Sequence, residues 1–242
     1  MPFADHPVRR VAAAEGIRPS GTWPHTIPAV RQLLTDGLDL DPGVTFLVGE
    51  NGTGKSTLVE AIAVAYGMSP EGGSTGARLT TRATESPLSD DLQLTRGAGA
   101  SRAGFFLRAE TMHGFYTYLE DNPRTGGQQP DLPFHRMSHG ESFLAVIGDR
   151  FDRHGFYCLD EPESALSFSS SLAVVGVLDQ LARSGSQVIC ATHSPVIAAL
   201  PDARILEVGE WGIRESTWDE LELVQNWRSY LQAPQRFLRH IL

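Results

Sequence analysis

Eight residues, Gly49-Glu50-Asn51-Gly52-Thr53-Gly54-Lys55-Ser56, constrain this chain more than any others, because they fit G-x-x-x-x-G-K-[ST] between two segments of opposite character. Before them, Val44-Thr45-Phe46-Leu47-Val48 is a short β-rich run that predicts a strand. After them, Ser56 to Tyr66 places Leu58, Val59, Ile62, Ala63 and Tyr66 on one face of a helix. A chance glycine turn accounts poorly for that strand-loop-helix context. Gly52 and Gly54 let the backbone turn tightly and expose N–H groups to phosphate oxygens. The helix that follows aims its positive end at the same anion. Lys55 supplies a point charge for the β- and γ-phosphates, and Ser56 a hydroxyl for Mg²⁺. The candidate nucleotide-binding residues are therefore Glu50, Asn51, Gly52, Thr53, Gly54, Lys55, Ser56 and Thr57, with Lys55 also a catalytic candidate.

Further compact apolar runs occur at Phe105–Leu107, Phe156–Leu159 and Val188–Ala191, each flanked by Gly or charge. Runs of this kind alternating with helical patterns predict an α/β fold whose mainly parallel sheet is flanked by helices. Leu172 to Arg183 predicts a helix closed by Gly185. A strand is expected at Arg204–Val208, then a helix over Trp218–Leu231 and a short amphipathic piece from Pro234. Ser69 to Ala103 is rich in Gly, Ser, Thr, Ala and Arg and reads as a long mobile excursion, while Asp121–Pro133 reads as a loop. At 242 residues the chain is expected to be a single domain over 1–242, with a helical region at about 134–152.

Composition narrows the partners. Lys and Arg total 20 against 29 Asp and Glu, a formal charge of −9, which opposes broad nucleic-acid wrapping but leaves a local basic groove open. The two cysteines, Cys158 and Cys190, sit inside apolar runs and are expected to be buried free thiols. The Val-Ala-Ala-Ala stub after Arg9-Arg10 is too short for a signal-peptide core, and no apolar run reaches the ~18 residues of a membrane span. A cytoplasmic protein without an integral membrane segment is expected.

A phosphate loop needs a second carboxylate at a neighbouring strand end, to hold Mg²⁺. Asp160, closing the Phe156 strand, supplies it, and Glu161 is placed to activate a water attacking the γ-phosphate, unless it merely solvates the strand end. Glu163 reads as a solvated loop position. His193 ends the Val188 strand and lies beside the same site if that strand neighbours the Asp160 strand. Ser138 and Glu141 form a capping box that starts a helix carrying Phe143, Leu144, Ile147 and Phe151.

The order of phosphate loop, Ser138-His139-Gly140-Glu141 helix, Asp160-Glu161 strand and terminal His193 resembles the ABC-type ATPases, meaning transporter ATP-binding cassettes and the SMC and RecF group. The DEPESALS and ATHSP wording looks like small stand-alone bacterial ATPases of the AAA family. From about Val44 to Val208, the resemblance implies an ABC-like P-loop fold with a small helical signature lobe, and Mg²⁺-dependent ATP hydrolysis by a head-to-tail homodimer. It implies that Ser138 and Gly140 meet the γ-phosphate across that interface, that Asp160 holds Mg²⁺ with Ser56, that Glu161 activates water and that His193 senses the γ-phosphate. His139 stands where the usual signature has glycine, Glu141 where it has glutamine, and Ser167 where the loop after the Asp-Glu strand usually has aspartate. Glu110 is the first candidate for the glutamine-loop position, with Gln93 behind it. Trp23 either stacks on adenine or, as the commoner case, fills the core.

The leading expectation is an ATPase that drives conformational change in a DNA- or protein-linked process. The energising subunit of an ABC transporter is the alternative, disfavoured by the Gly-, Pro- and polar-rich stretch from Glu110 to Met137. A P-loop small-molecule kinase and a non-hydrolysing switch stand behind these. Arg78, Arg82, Arg96 and Arg102 are the residues a DNA role would draw on, although four acidic residues leave their segment roughly neutral.

Overall fold

The structure is a computed structural model that describes residues 6–75, 86–111, 139–151, 153–239 and 241. Its elements in chain order are β1 (Val8–Ala13), α1 (Pro28–Asp36), β2 (Leu38–Asp39), β3 (Gly43–Val48), α2 (Lys55–Tyr66), β4 (Gly73–Ser74), β5 (Leu92–Arg96), β6 (Gly104–Arg108), α3 (His139–Arg150), β7 (Phe156–Asp160), α4 (Phe168–Arg183), β8 (Gln187–Thr192), β9 (Arg204–Gly209), β10 (Gly212–Ser216), α5 (Glu222–Gln232) and α6 (Pro234–Leu238).

The larger sheet runs β10-β9-β3-β8-β7-β6-β4. Its five central strands are parallel, and the edge strands β10 and β4 join antiparallel. Successive residues of the central strands feed opposite faces, as the period of two requires. Leu47, Phe156, Cys158 and Ile189 pack with α1 and α2 on one face; Phe46, Tyr157, Leu159 and Cys190 pack with α3 and α4 on the other. That double burial makes these strands continuous apolar runs. It also places Cys158 and Cys190 in different core layers as buried free thiols, as expected. Val146 and Ile147 of α3 enter the same layer as β7 and α4.

Two segments depart from the sequence reading. Residues 86–103 of the expected excursion are built structure: a 3₁₀ turn at Pro87–Asp91, with Leu88 fully buried, runs into β5. The stub near the N-terminus is β1, which pairs antiparallel with β5 and β2 in a second, three-stranded sheet. Short strands with one apolar face show only two or three buried side chains each, here Val8 and Val11, too few for periodicity to register. The remaining expected spans shift at their ends. Helix α4 starts at Phe168, ahead of the expected Leu172, because Ser167 caps it by accepting a hydrogen bond from Ser170 N at 3.2 Å. The Trp218 helix is a 3₁₀ turn at Trp218–Glu220 followed by α5, broken at the extended, fully buried Leu221. Among the described residues, no helix is long and apolar enough to cross a membrane.

Candidate functional site

The carboxyl ends of the parallel strands are in register: Val48 faces Thr192, Ala191 faces Asp160, and Asp160 faces Arg108. Everything that follows β3, β6, β7 and β8 is thereby brought to one edge, where ligands of open α/β sheets bind. Strand β8 lies between β3 and β7, so the Asp160 strand is one removed from the phosphate-loop strand rather than its neighbour. Strands β7 and β8 do adjoin, the condition set for His193.

The loop after β3 is shaped by two close approaches. A Cβ on Gly49 would lie 2.1 Å from the Val208 carbonyl of β9, so only glycine lets the loop leave the sheet there. Gly54 caps α2 at φ +98°, a left-handed conformation, and its Cβ would meet Ile27 Cγ2 at 2.6 Å. Across the loop, Lys55 Nζ donates to the Glu50 carbonyl at 2.9 Å, and Thr53 Oγ1 donates to the same oxygen at 2.9 Å. Lys55 is buried, and burial lowers its pKa against the opposing pull of Glu161, Asp160, Glu163 and Glu50.

A cavity of about 410 Å³ opens along this loop from Asn51 to Thr57. Its other walls are Trp23, Ile27, Glu110 and Glu161. Trp23 is thus no core residue; it is 59% exposed beside the phosphate loop. Glu110 follows β6 at the rim, 77% exposed, whereas Gln93 sits in β5 of the small sheet opposite Ala12.

Asp160 is almost fully buried. Burial pushes its carboxyl up to about 6, against the lowering effects of the Ser56 hydrogen bond and of Arg108, with Glu161 and Glu110 raising it further. Arg108 Nε stands 3.6 Å from Asp160 Oδ2, while its other nitrogens reach Glu60 Oε2 at 2.5 Å and Glu110 Oε2 at 3.5 Å. Asp160 Oδ1 is buried without a hydrogen-bond partner. A bare carboxylate oxygen beside a serine hydroxyl is the hard-oxygen set that Mg²⁺ takes when phosphates and waters complete its shell. No cluster of three or more His, Cys, Asp or Glu suited to a metal occurs among the described residues.

Glu161 adopts a left-handed conformation, φ 47° and ψ 52°, at the turn out of β7. Its N–H donates to the Ala191 carbonyl at 3.0 Å, and its own carbonyl accepts from Ser164 N and Ser164 Oγ. Glu163 is not the solvated loop residue expected. Its Oε1 accepts from Thr192 Oγ1 at 2.8 Å and from His193 N at 2.6 Å, stitching the turn after β7 to the end of β8. His193 Nδ1 lies 3.4 Å from that oxygen and 3.7 Å from Glu161 Oε1.

The structure therefore gathers Asn51, Gly52, Gly54, Lys55, Ser56, Thr57 and Glu161 around one cavity, with Asp160 bonded to Ser56 beneath it. His193 shares an adjoining cavity of about 560 Å³ with Glu50, Asn51 and Glu163. Gly140 lies in the first turn of α3, and Ser138 falls outside the described residues. Arg96 is occupied in the fold, stacked over Tyr66 at 4.2 Å and bonded to its carbonyl, while Arg78 and Arg82 lie outside the described residues. Sequence reasoning missed Arg108 and Glu163. A charged residue closing the apolar Phe105 strand was the available signal for the first, and nothing local signals the second.

Residues 125–199 match the family described as "AAA domain, putative AbiEii toxin, Type IV TA system", and residues 30–106 match one described as "AAA domain". The macrolide export ATP-binding/permease protein MacB 1 of Yersinia pestis is 32% identical over 107 residues, 43% of this chain and 14% of that protein. MacB of Campylobacter fetus is 33% identical over 127 residues, 50% of this chain and 18% of that protein. The chain thus spans under a fifth of these relatives. A solved structure described as "An inward-facing conformation of a putative metal-chelate type ABC transporter" superposes with TM-score 0.52 at 14% identity, covering 94% of this chain and 89% of that one, a likeness of fold. Fold, motif order and matches together support an ABC-type P-loop ATPase. Within that class, the chain carries its resemblance to AAA-domain ATPases in both halves.

Proposed function

We propose that this chain binds Mg²⁺-ATP on the loop after β3 and hydrolyses it, working as a head-to-tail pair. The observation that carries the reading is the single cavity into which Lys55, Ser56 and Glu161 converge from two separate strand ends. Lys55 and the loop N–H groups hold the phosphates. Asp160 and Ser56 hold Mg²⁺, which when bound neutralises charge on the β- and γ-phosphates. Glu161 orients the attacking water and takes its proton. His193, at the next strand end, meets the γ-phosphate or that water. Trp23 and Glu110 wall the same cavity, Trp23 offering a ring face to the base and Glu110 a carboxylate at the glutamine-loop position.

The pairing rests on the resemblance at Ser138 and Gly140, whose helix start would complete the other subunit's site. ATP affinity and pairing affinity are then one linked quantity, and loss of the γ-phosphate weakens both. Phosphate release, ATP binding and light scattering test it. Lys55→Ala is expected to lose ATP binding by about 100-fold or more, and Glu161→Gln to bind ATP, lose turnover by about 100-fold or more and accumulate as a dimer. A monomeric, ATP-loaded Glu161→Gln protein refutes the pairing, and unchanged turnover in that variant refutes the role of Glu161.

For the process driven, a DNA- or protein-linked one leads; the MacB matches favour a second reading, the energising of a membrane partner. Hydrolysis stimulated by DNA with a steep salt dependence supports the first. Stimulation by a co-purifying membrane protein supports the second.

A further inference from the structure

We infer that Glu163 is a positioning residue for His193: it fixes the backbone at the end of β8 and keeps the imidazole proton on Nδ1, leaving Nε2 as the nitrogen that meets a ligand. The inference deepens the proposed ATPase reading and rests on it for the role of His193. Three observations carry it. Glu163 Oε1 accepts from both Thr192 Oγ1 and His193 N, so one carboxylate oxygen sets where the residue leaves the strand. Its side chain is only 9% exposed and Oε2 is buried without a hydrogen-bond partner, a costly arrangement for a group that merely solvates a turn. His193 Nδ1 is likewise buried without a hydrogen-bond partner and faces two carboxylate oxygens, Glu163 Oε1 at 3.4 Å and Glu161 Oε1 at 3.7 Å.

The chemistry follows from what each state of Nδ1 would meet. A lone pair there would stand against two acceptors, whereas an N–H is attracted by both and needs only a small ring movement to donate to either. The proton therefore belongs on Nδ1, and the carboxylate facing that nitrogen selects the one left for function. The same contact keeps the two strand ends in step, since Glu161 N–H already binds the Ala191 carbonyl one residue before Thr192. Glu161 and His193 are thus held in a fixed relation through Glu163.

Two-bond ¹H–¹⁵N imidazole spectra of nucleotide-free protein with ¹⁵N-labelled histidine test this directly, the His193 signals being assigned by their loss in His193→Asn. The wild type is expected to show the Nδ1–H pattern, and Glu163→Ala a shift toward Nε2–H. In turnover, Glu163→Ala is expected to lower kcat by about tenfold or more with KM for ATP within about twofold, as for loss of a group that orients a functional imidazole. Glu163→Gln keeps an oxygen for Thr192 and His193 N, and is expected to recover part of that loss. A purely structural role would lower the melting temperature without moving the tautomer. An Nε2–H pattern in the wild type, or an unchanged pattern and kcat in folded Glu163→Ala, overturns the inference. If Glu163→Ala fails to fold, the wild-type and Glu163→Gln spectra decide. If the wild type hydrolyses no ATP, the proposed function fails while the tautomer still tests the positioning.

Discussion

The two sheets of this molecule hold together by different means. Strands β3, β7 and β8 of the large sheet are buried on both faces and owe their stability to apolar layers above and below. The small sheet buries one face, through residues such as Val8 and Val11, and is tied to the large one by a polar device. Gln187, fully buried at the start of β8, accepts from Val8 N at 2.9 Å and donates to the carbonyls of Val8 at 2.8 Å and Asp41 at 3.0 Å. The difference teaches that the sheet carrying the site is secured by packing on both faces, and its companion by packing on one face together with satisfied hydrogen bonds.

The strongest way to test that contrast is Phe46→Ala, which leaves a cavity in a fully buried layer and is expected to cost about 3–5 kcal/mol in urea denaturation, raising amide exchange across the whole large sheet. Gln187→Leu keeps the bulk and removes the three hydrogen bonds; a loss of about 3 kcal/mol is expected, with β1 and β5 amides exchanging faster and β3 and β7 amides little changed. A uniform rise in exchange would show that the sheets are one cooperative unit and break the comparison.

A third test uses the buried charge at the large sheet's edge. The Asp160 carboxyl rises from its ordinary 3.8 to about 6, so its contribution to stability is present below pH ~3.8 and is lost as pH rises through about 6. Asp160→Asn cannot titrate. It is expected to be more stable than wild type by about 3 kcal/mol at pH 7.5, a gap that closes toward pH 4, read by denaturation across that range. The smallest effect is expected at Ser167→Ala, where loss of the α4 cap costs about 1 kcal/mol and Ser167→Asp restores it.

What was legible in the sequence follows the same division. The phosphate loop, Asp160 and the parallel strands could be read because their spacing and apolar runs are local patterns. Strands β1 and β5 could not, because each shows its character only once the other supplies hydrogen bonds across more than eighty positions, as in the pairing of Val11 with Leu94. Trp23 was misjudged for a related reason. Tryptophans favour cores in general, but this one stands on the loop before α1, which the fold swings against the phosphate loop. Arg108 and Glu163 acquire meaning only from the register that sets Arg108 against Asp160 and from the turn that carries Glu163 to β8.

The left-handed backbone at Glu161 carries a consequence for engineering. A residue with a Cβ held there costs of order 1 kcal/mol or more; glycine would relieve it, and asparagine, which tolerates this region through local hydrogen bonds, would relieve part of it. A library selected only for heat resistance should therefore drift toward Gly or Asn at position 161. Its winners would be the sturdiest chains and the ones stripped of the carboxylate proposed to activate water. Screens on this scaffold need an activity filter at that codon, since thermal selection and turnover pull it in opposite directions.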